Sequence, residues 1–168
     1  HWLKHVDLPK IVTYVLLCSF GLLASLVAKA QKPVLAEGQW YKLAVTQSGI
    51  YRLDADQLGK MGIDVASIQP SRLRIFGNGG AMLPQSNASG YRNGLTENAI
   101  WVSGEEDGRF DKGDAAFFYA EGPHVIRYDA SGAVLRHEIN HYSDTAYYFL
   151  TVGPVDGLRV KAAENMTV

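Results

Sequence analysis

A chain of 168 residues, 47% hydrophobic and 20% charged, carries enough apolar side chain for about one folded domain and too much for a disordered one. Its 16 basic and 17 acidic residues nearly cancel, and without the leader's three lysines and one aspartate 13 face 16, so there is no basic footprint for a nucleic-acid backbone. Cys18 is the only cysteine, which excludes an internal disulfide.

Ile11 to Ala28 (IVTYVLLCSFGLLASLVA) is uncharged, follows Lys4 and Lys10, and ends in Ala28-Lys29-Ala30 before Gln31. That is the layout of a secretory signal peptide over residues 1–30, with small side chains at the exit for a signal peptidase. The rival is an uncleaved anchor, since roughly 18 apolar residues reach the lower limit for crossing a bilayer. Cys18 lies inside this run and follows Leu17 rather than the small residue a lipoprotein would need, so it reads as a small hydrophobe. Cleavage would leave residues 31–168 with no thiol for a disulfide, a nucleophile or a metal.

Residues 31–39 form a polar linker containing Pro33. From Trp40 to Asp54 (WYKLAVTQSGIYRLD) two alternating runs flank Gln47-Ser48-Gly49 and predict a β-hairpin. Asp54 as N-cap, Leu58 and Met61 as one apolar face, and Gly62 as a stop predict a short helix. Arg72 to Phe76 predicts a strand entering Gly77-Asn78-Gly79-Gly80. Those glycines could cradle a phosphate, but the Lys-Ser/Thr of a Walker loop is missing and Pro84 blocks a helix, so a tight turn or bulge is expected.

Gln85 to Gly94 is a polar loop where a binding loop could sit, and Asn87-Ala88-Ser89, like Asn165-Met166-Thr167, matches the N-glycosylation pattern. Ala99 to Val102 predicts a strand bearing Trp101. Next, Glu105, Glu106, Asp107, Asp111 and Asp114 could gather oxygen ligands for Ca²⁺, yet their spacing departs from the EF-hand pattern and a solvated turn is the simpler reading. Ala115 to Ala120 predicts a buried strand. Val125 to Tyr128 and Val134 to Ile139 predict a pair joined at Asp129-Ala-Ser-Gly132, and Ala146 to Val152 a last strand closed by Gly153-Pro154.

Seven or eight short strands, one small helix and turns rich in Gly, Asp and Asn predict an all-β fold, an antiparallel β-sandwich or barrel-like domain over residues 40–153. Tyr41, Phe118, Tyr147 and Phe149 are the expected aromatic core. The chain starts at His1 and stops at Asn165-Met166-Thr167-Val168 without a cap or polar tail, so it reads as the start of a longer protein, with residues 154–168 opening a following segment.

No active site emerges from these residues. His137 and His141, with Glu138 and Asp144 near, could suggest a metal cluster, but strand positions four apart lie about 13 Å from each other, and turn or surface histidines, His124 included, are expected. No serine sits in a G-x-S-x-G elbow. The expectation is therefore no catalytic residue, no metal and no cofactor.

Several ordered blocks nevertheless resemble a known family: Trp40-Tyr41-Lys42 with Gly49-Ile50-Tyr51-Arg52-Leu53, Leu73-Arg74-Ile75-Phe76-Gly77-Asn78-Gly79-Gly80, Leu95-Thr96-Glu97-Asn98, Gly113-Asp114 before Phe117-Phe118-Tyr119, and Asn140-His141-Tyr142-Ser143-Asp144 before Tyr147-Tyr148-Phe149-Leu150. Together, over about Trp40 to Gly153, they resemble the N-terminal region of the sortases of the bacterial type IX secretion system, which are gingipain-type cysteine peptidases. The resemblance implies export, residence at the outer-membrane surface beside a PorV-like β-barrel protein, and removal of the C-terminal signal of secreted cargo with attachment of that cargo to the cell surface. The family's Cys-His pair belongs to a later, caspase-like domain, and no residue here matches it. The implied role is a non-catalytic front domain that holds or covers the downstream protease domain or docks to a partner. The alternative is a carbohydrate- or protein-binding β-sandwich of another secreted protein, with Tyr91, Trp101 and Tyr142 exposed.

Overall fold

Alternation of apolar and polar side chains sets the architecture, because each strand must bury one face. The computed structural model describes residues 12, 32–84, 86 and 94–161. The proposed signal peptide with Cys18, both glycosylation patterns and Tyr91 lie outside the described residues apart from position 12. Among the described residues no helix is long and apolar enough to cross a membrane. Val34–Val168 make one compact unit, distinct from His1–Pro33.

The described strands are β1 (Tyr41–Val45), β2 (Gly49–Asp54), β3 (Leu73–Phe76), β4 (Glu97–Asn98), β5 (Ile100–Ser103), β6 (Ala115–Ala120), β7 (Val125–Asp129), β8 (Val134–Glu138) and β9 (Ala146–Val152), with one short helix, α1 (Ala55–Lys60). They form a four-stranded sheet in the order β1-β9-β3-β4, a three-stranded sheet β2-β6-β5 and a two-stranded ribbon β7-β8. Every pairing of named strands is antiparallel. The protein is mainly β with sandwich-like packing, as the sequence predicts.

The expected hairpin over Trp40 to Asp54 does not form. β1 pairs with β9, in register Leu43 to Tyr148, whereas β2 pairs with β6, in register Tyr51 to Phe118. Gln47-Ser48-Gly49 thus passes from one sheet to the other as an arch. The two strands face each other across the core, so Val45 and Leu53 are both buried against the same cluster. The alternation of each strand is equally compatible with a hairpin and an arch, and only the long-range partners decide between them.

Nine strands rather than seven or eight arise mainly because the run around Trp101 splits at Ala99. Residues 97–98 pair with β3 in the first sheet and residues 100–103 pair with β6 in the second, so one bent segment laces the two sheets together. From Gly153 to Val160 the chain stays on the body. Ile100 donates its N–H to Leu158 O at 3.0 Å, Val160 donates to Ile100 O at 2.9 Å, and a parallel bridge joins Ile100 to Arg159.

Leu58, Leu73, Ile75, Ile100 and Leu150 are fully buried, each contributing about 1.5–3 kcal/mol through removal from water. Phe118 joins this core as expected and Tyr41 packs against it. Tyr147 and Phe149 do not. In β9 it is Tyr148 and Leu150 that point inward, while Tyr147 is 44% exposed with Lys42 Nζ 3.5 Å above its ring. AYYFLTV is apolar on both faces, so its own pattern cannot choose the phase.

The helix follows its sequence signals. Asp54 accepts from Gln57 N–H at 2.9 Å and Gln57 Oε1 accepts from Asp54 N–H at 3.0 Å, a reciprocal cap. Six residues cannot hold a helix alone, and burial of Leu58 supplies the remainder.

Candidate interaction face

Outward-facing residues of the three-stranded sheet form an unusual strip. Pairing places Arg52, Phe117 and Trp101 in one row across β2, β6 and β5, with Ile50 beside Tyr119 in the adjacent row. Trp101 is 54% exposed, Tyr119 60% and Ile50 77%. The Trp101 and Phe117 rings pack with centroids 5.2 Å apart and planes tilted by 31°, so Phe117 holds the indole in place. At the end of the row Arg52 Nη1 pairs with Asp54 Oδ2 at 2.6 Å. The Gln57 N–H that caps α1 is the main influence holding the Asp54 carboxyl below the usual carboxylate range, with Arg52 adding to it.

Next to this strip stands the ribbon. Tyr128 pairs with Leu135 and Ile126 with His137, which puts Ile126, Tyr128 and Leu135 together on one exposed apolar face. Every residue of β8 is exposed. The ribbon closes through Asp129, whose carboxylate accepts from Ser131 and from Arg136 Nε at 2.7 Å and is held below its ordinary range, chiefly by the Ser131 hydroxyl. Where the ribbon meets the body a cavity of about 340 Å³ opens, bounded by Ser48, Tyr119, Glu121, His124, Ile126 and His137.

This cavity brings together two of the three predicted histidines. The His124 and His137 rings are 6.4 Å apart at 85°, because the pairing in the ribbon returns the chain to the level of its entry. The sequence contains the signal for this, the Asp129-Ala-Ser-Gly132 turn, which fixes the register and hence the approach. His141 is exposed on the turn beyond. Among the described residues no three His, Cys, Asp or Glu side chains converge as a metal site.

The acidic loop is engaged internally. Asp114 accepts from Asp111 N–H at 2.7 Å, Asp107 accepts from Arg109 N–H at 2.9 Å, and Glu105 pairs with Arg159 at 2.8 Å. The glycine loop after β3 has a packing cause. A Cβ on Gly77 would lie 2.3 Å from the Tyr148 ring, and one on Gly80 would lie 2.6 Å from Ala146 Cβ and 2.8 Å from the Pro123 backbone. Elsewhere, a groove of about 510 Å³ runs beside Trp40, which meets Phe76 edge-on at 5.3 Å. Arg74 in its wall is tied to Glu97 by two hydrogen bonds at 3.1 and 2.5 Å.

Fold and surface together define an antiparallel, sandwich-like domain with an exposed aromatic face and no converging metal ligands among the described residues. Among solved structures, the chain is similar to the crystal structure of dimeric latent PorU from Porphyromonas gingivalis, at 27% identity and a TM-score of 0.59, over 88% of this chain. It spans 12% of the length of that PorU chain. No family model matches the sequence, and no curated protein does. The fold is therefore PorU-like.

Proposed function

We propose that this chain is the non-catalytic N-terminal part of a cell-surface type IX secretion sortase, a cysteine endopeptidase that removes the C-terminal signal of secreted cargo and attaches the cargo to the cell surface. The observation that carries the reading is the 27% identity and shared fold with PorU over 88% of this chain. In this reading the signal peptide of residues 1–30 directs export, the protein resides at the outer-membrane surface, and bond cleavage belongs to a downstream protease domain with a Cys-His pair. The front domain acts as scaffold, cover or docking module toward that protease domain, a PorV-like partner and the cargo. Nucleic acid has no part in it, in keeping with the near-neutral charge.

The reading frame beyond Val168 is the first test. A caspase-like segment with a cysteine and an upstream histidine is expected, and a different catalytic module or further β-repeats would overturn the proposal. In cells bearing the full-length protein, substitution of that downstream cysteine should abolish removal of the cargo signal, while this chain alone should show no thiol-dependent cleavage. Trp101 with Phe117 favours a second reading, a carbohydrate- or protein-binding module of another secreted enzyme, which a non-caspase downstream module would support.

A further inference from the structure

We propose that the outer face of the β2-β6-β5 sheet is the seat of the covalently following domain of the same polypeptide, which folds back onto it from the segment laid beside β5. The inference rests on the reading of this chain as the front part of a longer protein, and adds to it where the two parts meet and through which side chains.

The face is wider than three strands. Residues 158–160 lie against the free edge of β5, held by the two hydrogen bonds of Ile100 and by its parallel bridge to Arg159. Paired residues point to the same side of a sheet and their chain neighbours to the other. Ile100 is fully buried, so Arg159 turns toward the body, where its guanidinium reaches Pro70 O, Leu73 O and Glu105. Leu158 and Val160 turn the opposite way, to the side of Trp101, and are 53% and 57% exposed. An apolar strip therefore crosses four adjacent segments, from Ile50 on β2 through Tyr119 and Phe117 on β6 and Trp101 on β5 to Leu158 and Val160.

Its chemistry is that of an interface core. Contiguous apolar side chains left in water mark sites of association, and a tryptophan held by a neighbouring ring, as Trp101 is by Phe117, is a preferred anchor. The charge in the row, Arg52, stands at its far end and is paired to Asp54, as in the polar rim of an interface. The matching surface is accordingly apolar and aromatic.

The path of the chain selects the occupant. The PorU chain to which this one is similar is much longer, since this chain spans 12% of it. Lys161 directly follows Val160, itself a member of the strip, so a domain joined there starts at the border of the face it covers. The Arg159 clasp fixes that starting point on the body. A short tether gives an attached partner an effective concentration on the order of millimolar, about a thousandfold above a free partner at micromolar concentration. The strip is filled by its own polypeptide before a second copy or another protein reaches it.

The test is photo-cross-linking of the full-length protein, at micromolar concentration, with p-benzoylphenylalanine in place of the exposed Tyr119. The expected product keeps the mass of one polypeptide, and its cross-linked peptide lies beyond Val168. A cross-link to a second copy, a cross-link to another protein, or no cross-link overturns the proposal. Hydrogen exchange on full-length Trp101→Ala gives a second readout. Peptides beyond Val168 that cover the strip should exchange about tenfold faster than in wild type while β1 and β9 are unchanged, and unchanged exchange beyond Val168 overturns the proposal. If that variant does not fold, the cross-link decides alone. The kind of domain that follows is read separately, from its sequence. A cross-link into a module that is not caspase-like removes the sortase reading and keeps this one, whereas a cross-link to another molecule in a protein whose next domain is caspase-like removes this one and keeps the sortase reading.

Discussion

Replacing Arg159 with alanine tests whether the segment past β9 is part of the domain. The guanidinium donates to Glu105 Oε2 at 2.8 Å, to Pro70 O at 2.6 Å and to Leu73 O at 3.3 Å, with 22% of the side chain exposed. It thereby ties residues 158–160 to the turn before β3 and to the acidic loop. The two carbonyls lose a charged donor, at about 1 kcal/mol each once partial hydration is allowed for. The ion pair with Glu105 is partly exposed and adds a few tenths of a kcal/mol. The expected loss is about 2 kcal/mol, or a fall in Tm of about 8 °C for a domain of this size. Urea unfolding should show a lower midpoint at unchanged slope. Arg159→Lys should recover less than half, because one ammonium cannot serve three separated acceptors. An Arg159→Ala protein within about 0.3 kcal/mol of wild type would refute the reasoning, since the clasp on Pro70 and Leu73 would then carry no weight.

Gly77→Ala should destabilise by about 1–3 kcal/mol, because its Cβ would meet the buried, hydrogen-bonded Tyr148 ring at 2.3 Å; a thermal melt superposing on wild type would remove the packing account of the glycine loop. Burial pushes the Glu97 carboxyl up, but the Arg74 hydrogen bond and the Leu158 N–H together pull it further down, so it stays below its usual range. With the folded value below the unfolded one, this contribution is complete above the unfolded carboxylate range near pH 4.5 and disappears as pH falls through the folded value. Arg74→Met should flatten that part of the stability-pH curve in acid unfolding, and an unaltered curve would contradict the pairing. Chelator should leave Tm within a degree of its starting value, whereas a fall of several degrees would restore the Glu105 to Asp114 loop as a Ca²⁺ site.

Local signals carried the strands and the helix well, and long-range partnership was where they ran out. Ala115–Ala120 and Ala146–Val152 stand where β-branched and aromatic runs between turn residues put them, and Asp54 caps α1 through the reciprocal bonds its sequence suggests. The arch at Gln47-Ser48-Gly49 was not legible, because a strand's period of two fixes which side chains are buried but not which strand lies alongside. The same ambiguity hid the inward turn of Tyr148, since β9 has apolar residues on both faces and its phase depends on Leu43 and Ile75 opposite it. Of the exposed aromatics named from sequence, Trp101 does face solvent, yet its support by Phe117 needed the pairing of β5 with β6.

The division of labour within the molecule follows from where apolar side chains are spent twice. In the first sheet Leu73, Ile75 and Leu150 fill the core, while Trp40 is laid over Phe76 on the outside and Thr151 donates to Gln39 O at 2.8 Å, so much of that outer face is already roofed by the chain's own approach. Among the described residues the second sheet has no such roof over Trp101, Tyr119 and Ile50. A ring braced as Trp101 is by Phe117 loses little further side-chain entropy when covered. An asymmetry of this kind, with one face closed by the chain and the other braced and open, makes β2-β6-β5 the face on which the proposed docking role is to be tested. Mutations there should therefore change what the protein meets more than whether it folds.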